Sequence, residues 1–225
     1  MHLMHHALTL TDVALHALPS GAMYLPAHQA LIVSDLHLGK SERMARRGGP
    51  LLPPYETRAT LAKLAADIAT CTPATVICLG DSFDDMTASH GLDSEDRHHL
   101  AHMVKGRKWV WIAGNHDAGP TDLGGQHRPE IQIGLLTLRH IADPAARGEI
   151  SGHYHPKARL AGRSRPCFLA DASRVILPAY GTYTGGLYSH EPALTALMLP
   201  RALAILTGTS ALAIPMPRKA PTPRP

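Results

Sequence analysis

Leu31-Ile32-Val33-Ser34-Asp35-Leu36-His37 is a short apolar run that stops at two residues of metal-binding type. Without polar alternation, it reads as a strand buried on both faces whose C-terminal end presents Asp35 and His37. The pattern recurs twice. Thr75-Val76-Ile77-Cys78-Leu79 ends in Gly80-Asp81, and Lys108 to Ala113 leads into Gly114-Asn115-His116-Asp117. Helices fit between these strands. From Tyr55 to Ala69, Leu61, Leu64, Ala65 and Ile68 form one apolar stripe at three- and four-residue spacing, with Pro53-Pro54 setting the start and Pro73 ending it. Ser94 to Lys105 predicts a polar helix with Glu95 and Asp96 in its first turn and Gly106 as its stop. Strand, helix, strand, helix, strand is the rhythm of an α/β sheet.

Past Asp117 the rhythm changes. Glu130 to Ile141, Arg174 to Leu177 and Leu194 to Leu199 are short apolar runs with no strong helix between them, so the second half reads as strand-rich. Ala193 to Ile214 is interrupted by Pro200, Arg201 and Gly208, which suits two terminal sheet strands joined by a turn and not a membrane span. No internal repeat or linker divides the chain. Residues 1–214 are therefore expected to form one layered domain, its halves supplying two sheets, followed by a disordered basic, Pro-rich tail over 215–225.

Composition narrows the function less. The net charge of +4 favours polyanionic partners mildly, without the density of a dedicated nucleic-acid arm. Cys71, Cys78 and Cys167 cannot all pair and form no Cys-x-x-Cys unit, which predicts buried thiols in a reducing compartment. The start Met1-His2-Leu3-Met4-His5-His6 lacks the pattern of a signal peptide, so cytoplasmic residence is expected.

The strand ends carry the chemistry. Ligands in open α/β sheets bind beyond the carboxyl ends of the strands. Asp35 and His37 flank one residue, so at a strand end both side chains can leave the same side of the backbone and reach one ion. Asp81 offers a carboxylate able to bridge two ions, and Asn115 a neutral oxygen. Gly80 and Gly114 allow the backbone to turn closely there. His153 and His155 in Gly152-His153-Tyr154-His155 add two imidazoles. A further ligand is His140, at the end of Leu135-Leu136-Thr137-Leu138-Arg139, with His127 in Gly124-Gly125-Gln126-His127 as its competitor.

Taken in order, these motifs resemble those of the calcineurin-like metallophosphoesterase superfamily: Asp-x-His, Gly-Asp, Gly-Asn-His-Asp, a lone His, then Gly-His-x-His. The resemblance implies an αββα sandwich of two mixed β-sheets flanked by helices. It also implies two divalent ions, one held by Asp35, His37, Asp81 and His155, the other by Asp81, Asn115, His140 and His153. Such a pair holds a bridging water, lowers its pKa and clamps the phosphoryl oxygens during in-line attack. His116 then protonates the leaving oxygen or stabilises the pentacovalent phosphate. Asp84 is expected to orient its imidazole, with Asp85 and Asp117 as rivals. Manganese is the first choice of metal, with iron or zinc as alternatives.

A narrower likeness is to the bacterial ligase-associated DNA-damage-response endonucleases. It rests on Ser34 to Lys40, Pro53-Pro54-Tyr55-Glu56-Thr57 and Pro178-Ala179-Tyr180-Gly181-Thr182-Tyr183-Thr184-Gly185-Gly186. It implies a phosphodiesterase acting as a DNA endonuclease in repair, functionally associated with a repair ligase, helicase and exonuclease. A phosphatase or pyrophosphohydrolase of nucleotides or another small phosphorylated metabolite uses the same metal residues. Lys40, Arg43, Arg46 and Arg47 follow the first motif and either guide a phosphate backbone or form a solvated helix face. Tyr180 and Tyr183 either stack on bases or pack. The other histidines carry no functional reading: His98, His99 and His102 fall on the polar helix, and His2, His5 and His6 on a flexible start.

Overall fold

The computed structural model describes residues 4–46, 48, 55–84, 91–117 and 122–218. Its first sheet follows chain order: β1 (His6–Leu10), β2 (Val13–Ala17), β3 (Met23–Leu25), β4 (Ala30–Val33), β5 (Thr75–Leu79), β6 (Lys108–Ile112) and β7 (Gln126–Arg128). The first four strands form an antiparallel meander, and β4 to β7 run parallel. The parallel pairs need crossovers. α1 (Lys40–Arg46) and α2 (Glu56–Cys71) lie between β4 and β5, and α3 (Ser94–Val104) between β5 and β6.

The second sheet is built from β8 (Glu130–Ile133), β9 (Leu136–Arg139), β10 (Glu149–Ser151), β11 (Lys157–Leu160), β12 (Arg163–Ala170), β13 (Arg174–Ile176), β14 (Leu203–Leu206) and β15 (Leu212–Pro215). Its spatial order is β15-β14-β12-β13-β10-β9-β8, with β11 paired to β12 as a hairpin. A short helix, α4 (Pro192–Leu197), precedes β14.

Side-chain alternation sorts these strands into layers. On β4, Ala30 and Ile32 face the second sheet with Leu79, Val110, Leu138, Ile150, Phe168 and Val175, while Leu31 and Val33 face α2 and α3 with Leu61, Leu64, Leu100 and Met103. A third cluster, including Cys167, Leu169, Ile176 and Ala204, covers the outer face of the second sheet with Leu194 and Met198. The result is the expected αββα sandwich. A fully buried leucine or isoleucine contributes roughly 1.5–3 kcal/mol here, which is why the parallel strands read as unbroken apolar runs.

Helix ends follow local chemistry. Asp93 caps α3 by accepting a hydrogen bond from Glu95 N at 2.9 Å. α2 stops at Cys71, where Thr72 takes a left-handed φ of 43° just before Pro73. Pro53-Pro54, expected to set its start, lies outside the described residues.

Three expectations need correction. The start is ordered from Met4, the first described residue: His6 opens β1, and the His5 ring stacks on His16 with centroids 3.9 Å apart, while His2 lies outside the described residues. The stretch Leu194 to Leu199 is not a strand but carries α4, because Pro192 suits a first helical turn and Leu194 finds its partners in the third cluster. The two terminal strands joined by a turn, expected within Ala193 to Ile214, are β14 and β15 with Gly208 between them. Residues 215–218 do not begin a disordered tail: Met216 is buried, and the Arg218 guanidinium donates to Met198 O at 3.0 Å. The rest of that tail lies outside the described residues. No helix among those described is long and apolar enough to cross a membrane.

One buried ion pair ties the second sheet together. Arg174 Nη1 lies 3.1 Å from Glu149 Oε2, with side-chain exposures of 3% and 0%. The same guanidinium donates to the carbonyls of Asp143, Pro144 and Ala146, pinning the loop that leaves β9 just past His140. Removing Arg174 leaves the buried Glu149, among the described residues, with only the Arg139 guanidinium, 3.6 Å away, and the Asp143 N–H at 2.9 Å. Arg174→Ala is therefore expected to destabilise by about 3–5 kcal/mol in denaturant unfolding, whereas Arg174→Met combined with Glu149→Leu recovers most of the loss. A single-variant cost under about 1 kcal/mol contradicts this assignment.

Candidate functional site

Every motif residue sits just past a strand end. Asp35 follows β4, Asp81 follows β5, Asn115 follows β6, His140 follows β9 and His153 follows β10. Because β9 and β10 are parallel, as are β4 to β6, both sheets send carboxyl ends into one place. The loops there remain paired to one another. His37 N donates to Asp81 O at 2.9 Å, Leu38 N to Ser82 O at 3.0 Å, and Gly152 N to His140 O at 2.9 Å. On the other side, Tyr180 N donates to Ser34 O at 2.8 Å and Gly181 N to Asp35 O at 3.0 Å.

The backbone in these loops is not extended. Asp35, His37, Asp81, His153 and His155 have φ of 55°, 46°, 46°, 72° and 47°, all in the left-handed region. Such residues cost on the order of 1 kcal/mol or more each and persist where the surroundings over-determine them. So the pleat of a strand is not what aligns Asp35 with His37, as spacing alone suggests. Local turns do it. Glycine makes room for the close approaches: a Cβ on Gly114 would meet Asp81 N at 2.2 Å, and one on Gly152 would meet Ser34 Oγ at 1.7 Å.

Two groups of ligand atoms result. Asp35, His37 and His155 form one, and Asp81, His140 and His153 the other, each with its atoms within 4.8 Å of one another. In the first group His37 Nε2 lies 3.4 Å from His155 Nε2, which in turn lies 3.1 Å from Asp35 Oδ1. In the second, His140 Nε2 lies 3.0 Å from Asn115 Oδ1, 3.2 Å from His153 Nδ1 and 3.4 Å from Asp81 Oδ2. The groups interlock: Asp35 Oδ2 accepts from His153 N at 3.0 Å, and Asp35 Oδ1 stands 4.0 Å from His140 Nδ1.

This donor set fits cations. His140 Nδ1 donates to Leu79 O at 2.7 Å, so the ring, once neutral as a ligand must be, would aim a bare Nε2 at two oxygens and another imidazole nitrogen. His37 likewise turns Nδ1 to Asp84 Oδ1 at 3.0 Å and leaves Nε2 facing His155. Asp35 Oδ1 is buried and makes no hydrogen bond. Acceptors converging on acceptors in a buried place need positive charge between them. All-oxygen-and-nitrogen ligation suits manganese, iron or zinc.

The carboxyls respond to the same crowding. Burial works to raise the Asp35 carboxyl, but the imidazoles of His155 and His140 outweigh it and hold it low. Asp81 is likewise held well below the usual carboxylate range against burial, by His140 and by the His116 backbone N–H. Asp117 goes the other way, pushed up to about 6 by burial, with the charge of Asp81 adding to it and N–H groups of Phe83 and Ser82 opposing.

His140, not His127, is the lone histidine brought into the site. His127 sits on β7, its ring stacked with Trp111 at 6.3 Å. His116 stands at the rim, its side chain 38% exposed, with Nε2 4.0 Å from Asp81 Oδ2 and its ring 5.5 Å from that of His37. The expectation that Asp84 orients His116 is corrected. Asp84 Oδ1 faces His37 and Oδ2 accepts from the Arg43 guanidinium, so both oxygens are engaged elsewhere. Burial would raise its carboxyl, and these two partners hold it below the usual range instead.

Asp117 forms no ion pair or hydrogen bond with His116: its Oδ2 accepts from Ser82 N at 2.6 Å and Phe83 N at 3.1 Å and so braces the Asp81 loop, and its buried Oδ1 has no hydrogen-bond partner among the described residues. Asp85 lies outside the described residues. Tyr180 is buried and donates to Asp67 Oδ2 at 2.8 Å, which makes it packing and not a stacking platform.

One contributor escaped the sequence reading and another was read in a different role. Ser34 Oγ donates to Asp35 Oδ2, and only adjacency marked it. Arg43 belongs neither to a phosphate guide nor to a solvated face, because it steadies Asp84 behind His37. Arg47 and the side chain of Arg46 lie outside the described residues. Since the carboxylate behind a ligating imidazole sets its orientation and basicity, Asp84→Ala is expected to weaken metal binding about 10–100-fold, with Asp84→Asn in between. Metal titration by calorimetry checks this, and an unchanged affinity rules the role out.

Comparison with known proteins agrees with this geometry. A model of the calcineurin-like phosphoesterase family matches residues 28–191. Among solved structures, the chain is similar to the crystal structure of the Pseudomonas putida nuclease MPE, with 31% identity, a TM-score of 0.73, and coverage of 93% of this chain and 100% of that one. No curated protein matches the chain.

Proposed function

The chain belongs to the calcineurin-like phosphoesterase family and is a metal-dependent phosphoesterase, and from that premise we propose that it is a manganese-loaded phosphodiesterase that cuts DNA in repair. The observation that carries the reading is the pair of interlocked ligand groups at the joint carboxyl end of both sheets. DNA as the substrate is supported by the similar structure being that of a nuclease, at 31% identity over 93% of this chain. Cytoplasmic residence is part of the same proposal, supported by three buried, unpaired cysteines.

In this reading Asp35, His37 and His155 would hold one divalent ion and Asn115, His140 and His153 the other, with the Asp81 carboxylate available to both. Two such ions supply a nucleophile at neutral pH and neutralise charge on the phosphoryl oxygens. The chain does the rest. Asp84 and Leu79 O fix the Nδ1–H tautomers of His37 and His140, so that each turns its bare nitrogen inward. His153 N–H and Ser34 Oγ–H anchor Asp35 Oδ2. His116, exposed at the rim, is placed to give a proton to the departing sugar oxygen.

The test compares supercoiled plasmid, a DNA oligonucleotide, a small phosphodiester and a phosphomonoester, each with added manganese. Nicked plasmid with poor monoester turnover is the expected result. Intact plasmid and oligonucleotide beside rapid hydrolysis of a nucleotide overturns the DNA reading and leaves a phosphatase or pyrophosphohydrolase.

A further inference from the structure

The β11–β12 hairpin leaves the site directly, since Lys157 lies two residues beyond His155. From His155 to Ala170 there are four cationic residues, Lys157, Arg159, Arg163 and Arg165, and no acidic one. Alternation sorts them. Ala158 is buried in the third cluster, which turns Lys157 and Arg159 to the opposite face. There both heads gather on one ring: Lys157 Nζ is 5.2 Å and Arg159 Cζ 5.0 Å from the centroid of Tyr188, and Arg159 Nη2 donates to Tyr188 Oη at 3.2 Å. His190 stacks on the same ring at 5.6 Å. Tyr188 is itself tied to the site, because Lys157 N donates to Leu187 O and Leu187 N to Tyr154 O, at 2.8 and 3.2 Å.

Two like charges gathered at one ring present a combined positive potential to an anion. Arg43, Arg139 and Arg174, by contrast, are matched by the carboxylates of Asp84, Glu130 and Glu149. Among the described residues neither Lys157 nor Arg159 forms an ion pair with a carboxylate, and nearby Glu191 turns its Oε1 to Tyr188 N at 2.7 Å. With Arg43 committed to Asp84, that member of the basic segment after the first motif is not free to contact phosphate.

We propose that Lys157 and Arg159, held together by Tyr188, bind the backbone phosphates of the nucleic-acid strand next to the bond being cut. This rests on the DNA-cutting reading above and adds the direction in which the strand leaves the site, along β11. Lys157 and Arg159 are substrate-binding groups, and Tyr188 is a positioning residue that gathers their charges.

The experiment uses the full chain with manganese and measures kcat and KM on a DNA oligonucleotide over a range of salt, beside hydrolysis of bis(p-nitrophenyl) phosphate. In the double variant Lys157→Ala, Arg159→Ala, the ratio of kcat/KM for DNA to that for the small ester falls about tenfold or more, mainly through KM. The salt slope of log(kcat/KM) on DNA shrinks by about 1.4–1.8, as expected for two lost phosphate contacts. Tyr188→Leu gives part of the KM effect, and the charge-keeping pair Lys157→Arg, Arg159→Lys retains DNA cleavage. A parental ratio and salt slope in the double variant overturn the track while the nuclease reading stands. Failure of the parent to cut any DNA overturns both, and an equal loss on both substrates also overturns the track.

Discussion

Asp81→Asn is expected to lower turnover by roughly a thousandfold or more, on the scale of losing one charged stabiliser from a water-poor site. It should also lower metal content below two ions per chain. The reason lies in how the two carboxylate oxygens are used. Oδ1 accepts from His116 N at 2.9 Å, and Oδ2 faces His140 Nε2 at 3.4 Å and His116 Nε2 at 4.0 Å. An asparagine keeps its oxygen on the His116 N–H, because a second donor there would leave that N–H unmatched. Its NH2 then points where Oδ2 pointed, and a donor stands where a cation needs an acceptor. The substitution is nearly isosteric, so the fold should survive, and circular dichroism checks that. Elemental analysis of the purified variant reads metal content directly. Two ions per chain with parental turnover would show that Asp81 is not a shared ligand.

The strand ends were legible because burial on both faces leaves an unbroken apolar run. Ile32 and Val33, Ile77 and Cys78, and Val110 and Trp111 announce a parallel sheet by having no solvent side. The same logic fails at the beginning of the chain. β1 alternates as an edge strand, with Ala7 and Thr9 exposed, and five residues of alternation that open on a histidine do not stand out from a loop. Among the ligands, spacing identified the residues but not the backbone that directs them. Asp and His tolerate the left-handed region better than most residues, so its repeated use at Asp35, His37, Asp81, His153 and His155 leaves no special composition behind.

Asp84 shows the other kind of gap. Its place in Gly80-Asp81-Ser82-Phe83-Asp84 puts it near the metals, yet which histidine it meets depends on the Leu38–Phe83 bridge that draws its loop alongside the His37 loop. Asp84 N then donates to Leu38 O at 3.0 Å, and the carboxylate arrives behind His37 with Arg43 closing the other side. A contact between segments so far apart in the chain, made through a bridge beyond the ends of β4 and β5, has no local signature. The consequence for mechanism is concrete. His116 has no carboxylate behind it among the described residues other than Asp81 itself, so its ring is steered by the ligand it stands beside.

That arrangement separates His116→Gln from every ligand substitution. The bond that supports Asp81 comes from the backbone N–H of His116, which glutamine keeps, so metal content is expected to stay at the parental value. Turnover on DNA is expected to fall about 10²–10⁴-fold, the range of a lost general acid. The leaving group decides whether the acid role is right. A departing 3′ or 5′ sugar oxygen needs a proton, whereas p-nitrophenolate leaves as a stable anion. The deficit on bis(p-nitrophenyl) phosphate should therefore be much smaller than on DNA when kcat is compared at saturating metal. Were both substrates to lose the same factor, His116 would be stabilising charge on the phosphoryl group instead of donating a proton. Its place favours the first result: the ring stands beside Asp81 yet is 38% exposed, at the rim where a departing oxygen leaves the metal groups and where solvent can restore the proton after each turnover.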